Sequence, residues 1–229
     1  ETADITKRPL GDVCPGVRQP TEGPFRNIGG FNIPTCDLID AYEPGDRRFD
    51  LSIGLYEDGK NNPNTDSIYY SIKFLELPFP TQGGIDVDFP IFRYADALLM
   101  QAEALVETEG GLPNQVFESL NSLRARAGLG FYFPGNPNPD LDLQTTEALR
   151  EAIRRERRVE LAFENHRSYD LRRYGIWEET MRAHGAVQKE KQAYFLDDFP
   201  EAYTEFKELL AIPPQQVELY GYTQNPGWD

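Results

Sequence analysis

Residues 149–175 read LREAIRRERRVELAFENHRSYDLRRYG, and the fold turns on how that stretch is interpreted. At 3.6 residues per turn, Leu149, Ala152, Ile153, Val159 and Phe163 share one face, which predicts an amphipathic helix with its apolar side toward a core. Glu156 and Glu160 fall on the same face. A carboxylate there needs a cationic partner, because burying an unpaired charge costs several kcal/mol or forces protonation. The two glutamates repel each other at four-residue spacing, so the compensating charge must come from other elements. Arg124, Arg126, Arg167, Arg172 and Arg173 are the natural partners, with Arg157, Arg158 and Asp170 in the same network. Arginine suits this role because its planar fork can hold a carboxylate through two bonds. An anion-binding groove made by Arg154, Arg155, Arg157 and Arg158 is the weaker reading.

Working outward, Thr145 or Thr146 is placed to cap this helix, with Glu147 in its first turn and the end near Glu164. Upstream, Ile91, Phe92, Ala95, Leu98, Leu99, Ala102, Leu105 and Val106 form a broad apolar face. Arg93, Asp96, Glu103 and Glu107 are expected opposite it. Ala97 and Ala104 are small enough for close helix approach. Gly110-Gly111 ends this helix, and Pro113 suits the first turn of the next. In that helix Val116, Phe117, Leu120, Leu123 and Ala127 are the buried side, and Gly128 closes it. Two helices joined by so short a turn must pack as an antiparallel pair, the shape of one tetratricopeptide-like unit. One pair cannot cover both of its faces, so further helices must stack beside it.

Residues 1–90 read as a loop-rich region. Thr35 is expected to cap a short helix with Leu38, Ile39 and Tyr42 inward, stopped by Pro44-Gly45. Phe49 to Tyr56 alternates, with Phe49, Leu51, Ile53 and Leu55 on one side, and Ile68 to Leu77 is a second strand candidate. Together they predict a small hairpin. Residues 91–175 form the helical scaffold, and 176–229 are loops and short helices packed on it. Pro214 to Leu219 is expected to form a single turn, and the aromatic tail, with Tyr220, Tyr222 and Trp228, should be pinned against the body. The fold class is mostly α, a tetratricopeptide-like helical scaffold with long irregular loops, in one domain. The chain opens on Glu1 rather than methionine, which predicts a processed product truncated at its amino end.

The formal net charge of −15 argues against nucleic acid as a partner. No segment approaches the roughly 18 apolar residues of a membrane-spanning helix. Two cysteines, Cys14 and Cys36, and two histidines, His166 and His184, form no metal-ligand spacing. The sequence has no phosphate-cradling glycine loop and no hydrolase or zinc-protease signature. Asp86 and Asp88 raise the question of a glycoside hydrolase, which needs two carboxyls facing each other across a cleft. Alternate residues of an extended segment point apart, so they read as solvated loop acids, as do Asp197 and Asp198. A loosely bound calcium ion is the only cofactor left open, and no enzyme is predicted. The best binding features lie in the amino-terminal loop. There Phe25, Arg26, Asn27 and Phe31 combine aromatic rings with polar donors, a mixture that suits a sugar's apolar ring face and hydroxyls.

Several pieces in series, from Pro34 to Trp228, resemble the carboxy-terminal half of the SusD/RagB family. They are PTCDLIDAYEPGDRR, PIFRYADALLMQAEAL, LNSLRARAGL, IRRERRVELAFENHRSYDLRRYG, LLAIPPQQVEL and TQNPGW. The resemblance implies a largely α-helical, tetratricopeptide-like scaffold whose irregular loops form the ligand surface. It implies an outer-membrane lipoprotein on the cell exterior, anchored by a lipid upstream of this chain. Such a protein binds oligosaccharide, or in some cases peptide, without cleaving it. Its implied partner is a SusC-type TonB-dependent transporter. None of these motifs locates the ligand contacts.

Overall fold

A computed structural model of the chain describes residues 34–56, 68–73, 90–109, 111–183 and 209–228. Helix α1 (Cys36–Ala41) starts where Thr35 predicts, its hydroxyl accepting the Leu38 amide at 3.3 Å. Helix α2 (Arg47–Ser52) corrects the alternation reading of Phe49 and Leu51. Asp46 caps it, its carboxylate accepting the Arg48 amide at 2.9 Å, and the helical turn leaves Leu51 71% exposed. Extended structure begins only at β1 (Ile53–Tyr56), which pairs antiparallel with β2 (Ile68–Ser71). Ile53 lies opposite Ser71 and Tyr56 opposite Ile68. The expected continuation of the second strand past Lys73 lies outside the described residues.

Helix α3 (Tyr94–Glu109) begins later than the apolar run suggests. Ile91 and Phe92 precede it and are 71% and 73% exposed, so neither belongs to the buried face. Helix α4 (Asn114–Ala127) packs back against α3 after a short connection, with Pro113 at its cap. Gly128 takes a left-handed φ of 80°, and the amides of Gly128 and Leu129 donate to the Ala125 and Arg124 carbonyls, closing the helix. Glycine reaches that φ without a Cβ clash. Leu99, Ala102 and Val106 of α3 join Val116, Leu120 and Leu123 of α4 in the main core.

Helix α5 (Thr146–Glu160) completes that core with Leu149, Ala152 and Ile153, all essentially without exposed surface. The Thr145 hydroxyl accepts the Ala148 amide at 3.1 Å. Thr145→Ala is expected to lower stability by about 1 kcal/mol, read as a shift in the urea midpoint at unchanged slope. Val159 belongs to a smaller cluster with Tyr42 and Ile53, against which Phe49 and Tyr69 pack.

The helix ends four residues short of Glu164, because Phe163 and Asn165 adopt left-handed φ values of 65° and 63°. The exposed carbonyl end is taken by cations. The Lys73 ammonium donates to the Glu160 and Ala162 carbonyls at 2.9 and 3.0 Å, and Arg93 donates to the Glu160 carbonyl at 2.6 Å. Terminal carbonyls lack helical partners and carry partial negative charge, so cations belong there.

The chain divides into two compact units, residues 1–165 and 166–229. The second holds α6 (Arg167–Arg173), helical residues 177–183, and α7 (Pro214–Tyr220), one residue longer than the turn expected from Pro214 to Leu219. Its described tail closes on itself. The Gln224 carboxamide both accepts from and donates to the Ile212 backbone at 2.8 Å, and the Trp228 indole donates to the Leu209 carbonyl at 2.9 Å. Tyr220 and Tyr222 stack on each other at 5.5 Å and stay exposed.

Candidate functional site

The first unit is held around a lattice of ion pairs that begins at Arg48. The Asp46 cap and one turn of α2 aim its guanidinium inward. Arg48 donates through Nε to Asp46 at 2.9 Å and through Nη1 to Glu156 at 2.5 Å and Glu160 at 3.1 Å. The other Glu160 oxygen accepts from Arg93 at 2.6 Å and from Arg126. Arg93 also holds Glu164 through Nε at 2.7 Å, and Lys73 reaches the second Glu164 oxygen at 2.5 Å. Arg124 lies 3.6 Å from Glu156, forks onto Glu43 at 2.6 and 2.8 Å, and sits 3.9 Å over the Tyr132 ring. Arg124 has no exposed surface, although it carries a permanent charge.

Arg124 and Arg126 thus reach the two glutamates, and Arg48, Arg93 and Lys73 join them. Taking Phe49 to Tyr56 as a strand hid the helical turn that aims Arg48, and placing Arg93 opposite the apolar face hid its role. Asp96 was also expected on the outer face, but it is buried and accepts from Arg157 at 2.5 Å. Arg158 pairs with Asp37 of α1. In the second unit Arg172 lies 3.9 Å over the Trp177 ring, and Arg173 pairs with Asp170 at 2.9 Å. Arg172 and Arg173 therefore engage partners in their own unit, and Arg167 opens α6. Three arginines of the weaker anion-groove reading are engaged by carboxylates: Arg154 pairs with Glu151, while Arg157 and Arg158 hold Asp96 and Asp37. Phe25, Arg26, Asn27 and Phe31 lie outside the described residues, as do Asp86, Asp88, Asp197 and Asp198.

The two central glutamates titrate in opposite directions. Burial pushes Glu156 above the usual carboxylate range, despite Arg48 and Arg124 beside it. Burial acts on Glu160 in the same sense, but Arg93, Arg126 and Arg48 together overcome it and hold its carboxyl at about 2. Burial likewise lowers Lys73 and raises the Tyr42 phenol to about 12.

A cavity of about 170 Å³ opens beside this lattice, lined by Arg48, Lys73, Arg93, Arg126 and Glu160 among others. Each of these cations already holds a carboxylate, so an incoming anion would have to displace one. The lattice is built to join elements. Among the described residues no group of three or more His, Cys, Asp or Glu is placed to hold a metal ion. Among them, too, no helix is long and apolar enough to cross a membrane.

Comparison with known proteins agrees with this architecture. The SusD-like protein P25 of Formosa agariphila is 42% identical over 86 residues, 38% of this chain and 15% of that protein. The SusD-like protein P38 of the same organism is 30% identical over 128 residues, 56% of this chain and 21% of that protein. Among solved structures, a SusD superfamily protein from Parabacteroides distasonis superposes with a TM-score of 0.65 at 22% identity. That superposition covers 98% of this chain and 48% of the other. A SusD homologue from Bacteroides thetaiotaomicron gives 0.59 at 28% identity, covering 84% and 42%. The chain therefore spans less than half the length of the solved relatives it matches, and a smaller share of the curated ones. Residues 37–228, which run from the first turn of α1 past the end of α7, match the SusD family, and the chain belongs to that family.

Proposed function

We propose that this chain is part of a non-catalytic cell-surface protein that binds oligosaccharide and delivers it to a SusC-type TonB-dependent transporter in the outer membrane. The observation that carries this reading is the family match over residues 37–228. Beside the 170 Å³ cavity, Arg48, Lys73, Arg93 and Glu160 are tied to one another and to Glu164 in ion pairs. One solved protein with a similar fold is surface glycan-binding protein A of Bacteroides uniformis, at a TM-score of 0.54. Its 17% identity speaks to the fold alone.

Glycan-array screening followed by calorimetry tests the ligand class. Saturable binding of at least one oligosaccharide, with the sugar recovered uncleaved, is the expected result. Binding of peptides with no response to any glycan would overturn it. Co-purification of a TonB-dependent transporter with the protein from outer membranes tests the partner.

A further inference from the structure

We propose that the groove between α3 and α4 is an oligosaccharide-binding subsite for neutral sugars, with Tyr94 as its stacking platform. The groove has a volume of about 270 Å³ and is lined by Tyr94, Leu98 and Gln101 of α3 and by Gln115, Glu118 and Ser122 of α4, among others. That is slightly under the size range usual for a small-molecule site, so one or two sugar rings are held at a time. This subsite rests on the oligosaccharide reading above and assigns it a place in the structure.

Three observations support the placement. Tyr94 opens α3 and is 78% exposed, while Ala95 and Leu99 on the same helix are buried. An exposed ring offers a flat apolar face, with a hydroxyl at its rim. Around it stand two carboxamides, a carboxylate and a serine hydroxyl, which supply both donors and acceptors for sugar hydroxyls. Among the described residues, no side-chain hydrogen bond or ion pair occupies the polar ends of Tyr94, Gln101, Gln115 or Glu118. Elsewhere on α3, Glu107 pairs with Arg150 at 2.6 Å. The supports are also rigid: Leu99 and Ala102 of α3 and Val116 and Leu120 of α4 have no exposed surface, so both walls stand on the packed core.

Charge selects the class of sugar. The groove holds Glu118 and no cation, in a chain of net charge −15. An acidic sugar would meet uncompensated repulsion there, whereas a neutral one loses nothing.

The test is calorimetric titration of the whole 229-residue chain with four hexaoses: maltohexaose, laminarihexaose, xylohexaose and hexagalacturonate. At least one neutral hexaose is expected to bind. Tyr94→Ala is expected to weaken that binding by about tenfold or more, as truncation of an aromatic anchor does. Tyr94→Phe keeps the platform and should stay within about threefold of the parent, since only one hydroxyl is lost. Because Tyr94 is exposed, the thermal midpoint of Tyr94→Ala should match the parent's, which separates lost binding from lost folding. If Tyr94→Ala binds a neutral hexaose as the parent does, the subsite is overturned while the proposed function stands. If none of the neutral hexaoses binds, or hexagalacturonate binds best, both the subsite and the neutral-sugar specificity fall. Sedimentation showing a dimer that Tyr94→Ala dissociates would assign the groove to a second copy of the chain and overturn the proposal.

Discussion

Arg48→Ala is expected to destabilise the first unit by ~3–5 kcal/mol in urea unfolding at neutral pH, because it leaves buried carboxylates without their counter-ion. Among the described residues, Arg48 is the one side chain that touches Asp46, Glu156 and Glu160 together, at 2.7, 2.5 and 3.1 Å, with carboxylate side chains no more than 2% exposed. Glu160 would keep Arg93 and Arg126, but Asp46 would lose its cation and Glu156 would keep only the longer 3.6 Å contact with Arg124. The loss should depend on pH in a defined direction. Burial already raises Glu156 above the usual range, and removing Arg48 raises it further. The folded variant then binds a proton that the unfolded chain has released, so its stability falls as pH rises. The variant should therefore lie closer to the parent near pH 5 than near pH 8. A loss under about 1 kcal/mol, or the opposite pH trend, would show that Arg48 is solvated rather than part of a buried lattice.

Glu160→Gln is the second large effect, and it appears in the acid limb of stability. The Glu160 carboxyl is held at about 2 against an ordinary 4.5, and its side chain is 1% exposed. Between those values the unfolded chain binds a proton that the folded chain refuses, so stability increases with pH across that window. The contribution is complete above the ordinary value and disappears as pH falls through 4.5 toward about 2. The gap corresponds to about 3 kcal/mol at neutral pH. Glutamine keeps the shape without the charge. The variant should lose roughly that amount at pH 7 and show a flatter profile below about pH 5. An acid limb identical to the parent's would place the pH sensitivity on other carboxylates.

Both predictions rest on a charged lattice that local pattern exposes only halfway. The apolar stripe Leu149, Ala152, Ile153, Val159, with Glu156 and Glu160 set into it, is enough to require buried cations. The spacing of Thr145, Gly128 and Thr35 marks helix boundaries, because capping is a local event between residues within one turn. The partners of the glutamates are another matter. Arg48 lies 108 residues from Glu156, and Arg93 lies 67 residues from Glu160. Nothing local connects them. Alternating apolar residues hid the helical turn that aims Arg48, since Phe49 and Leu51 fit a strand as well as a six-residue helix capped by Asp46. The neighbouring apolar pair Ile91-Phe92 drew the start of α3 too early and put Arg93 on the wrong side.

The proposed subsite shows the same division. Tyr94, Gln101 and Gln115 are ordinary residues on two predicted helices. They become a groove only because Ala95, Leu99 and Ala102 draw α3 against Val116 and Leu120 of α4. The sequence by itself determined the helix class, the antiparallel pair and the need for cations around Glu156 and Glu160, because periodicity, capping and the cost of burying charge act over a few residues. Only the tertiary structure decided which arginines answer that need and which surface stays open, because those depend on contacts between segments far apart in the chain.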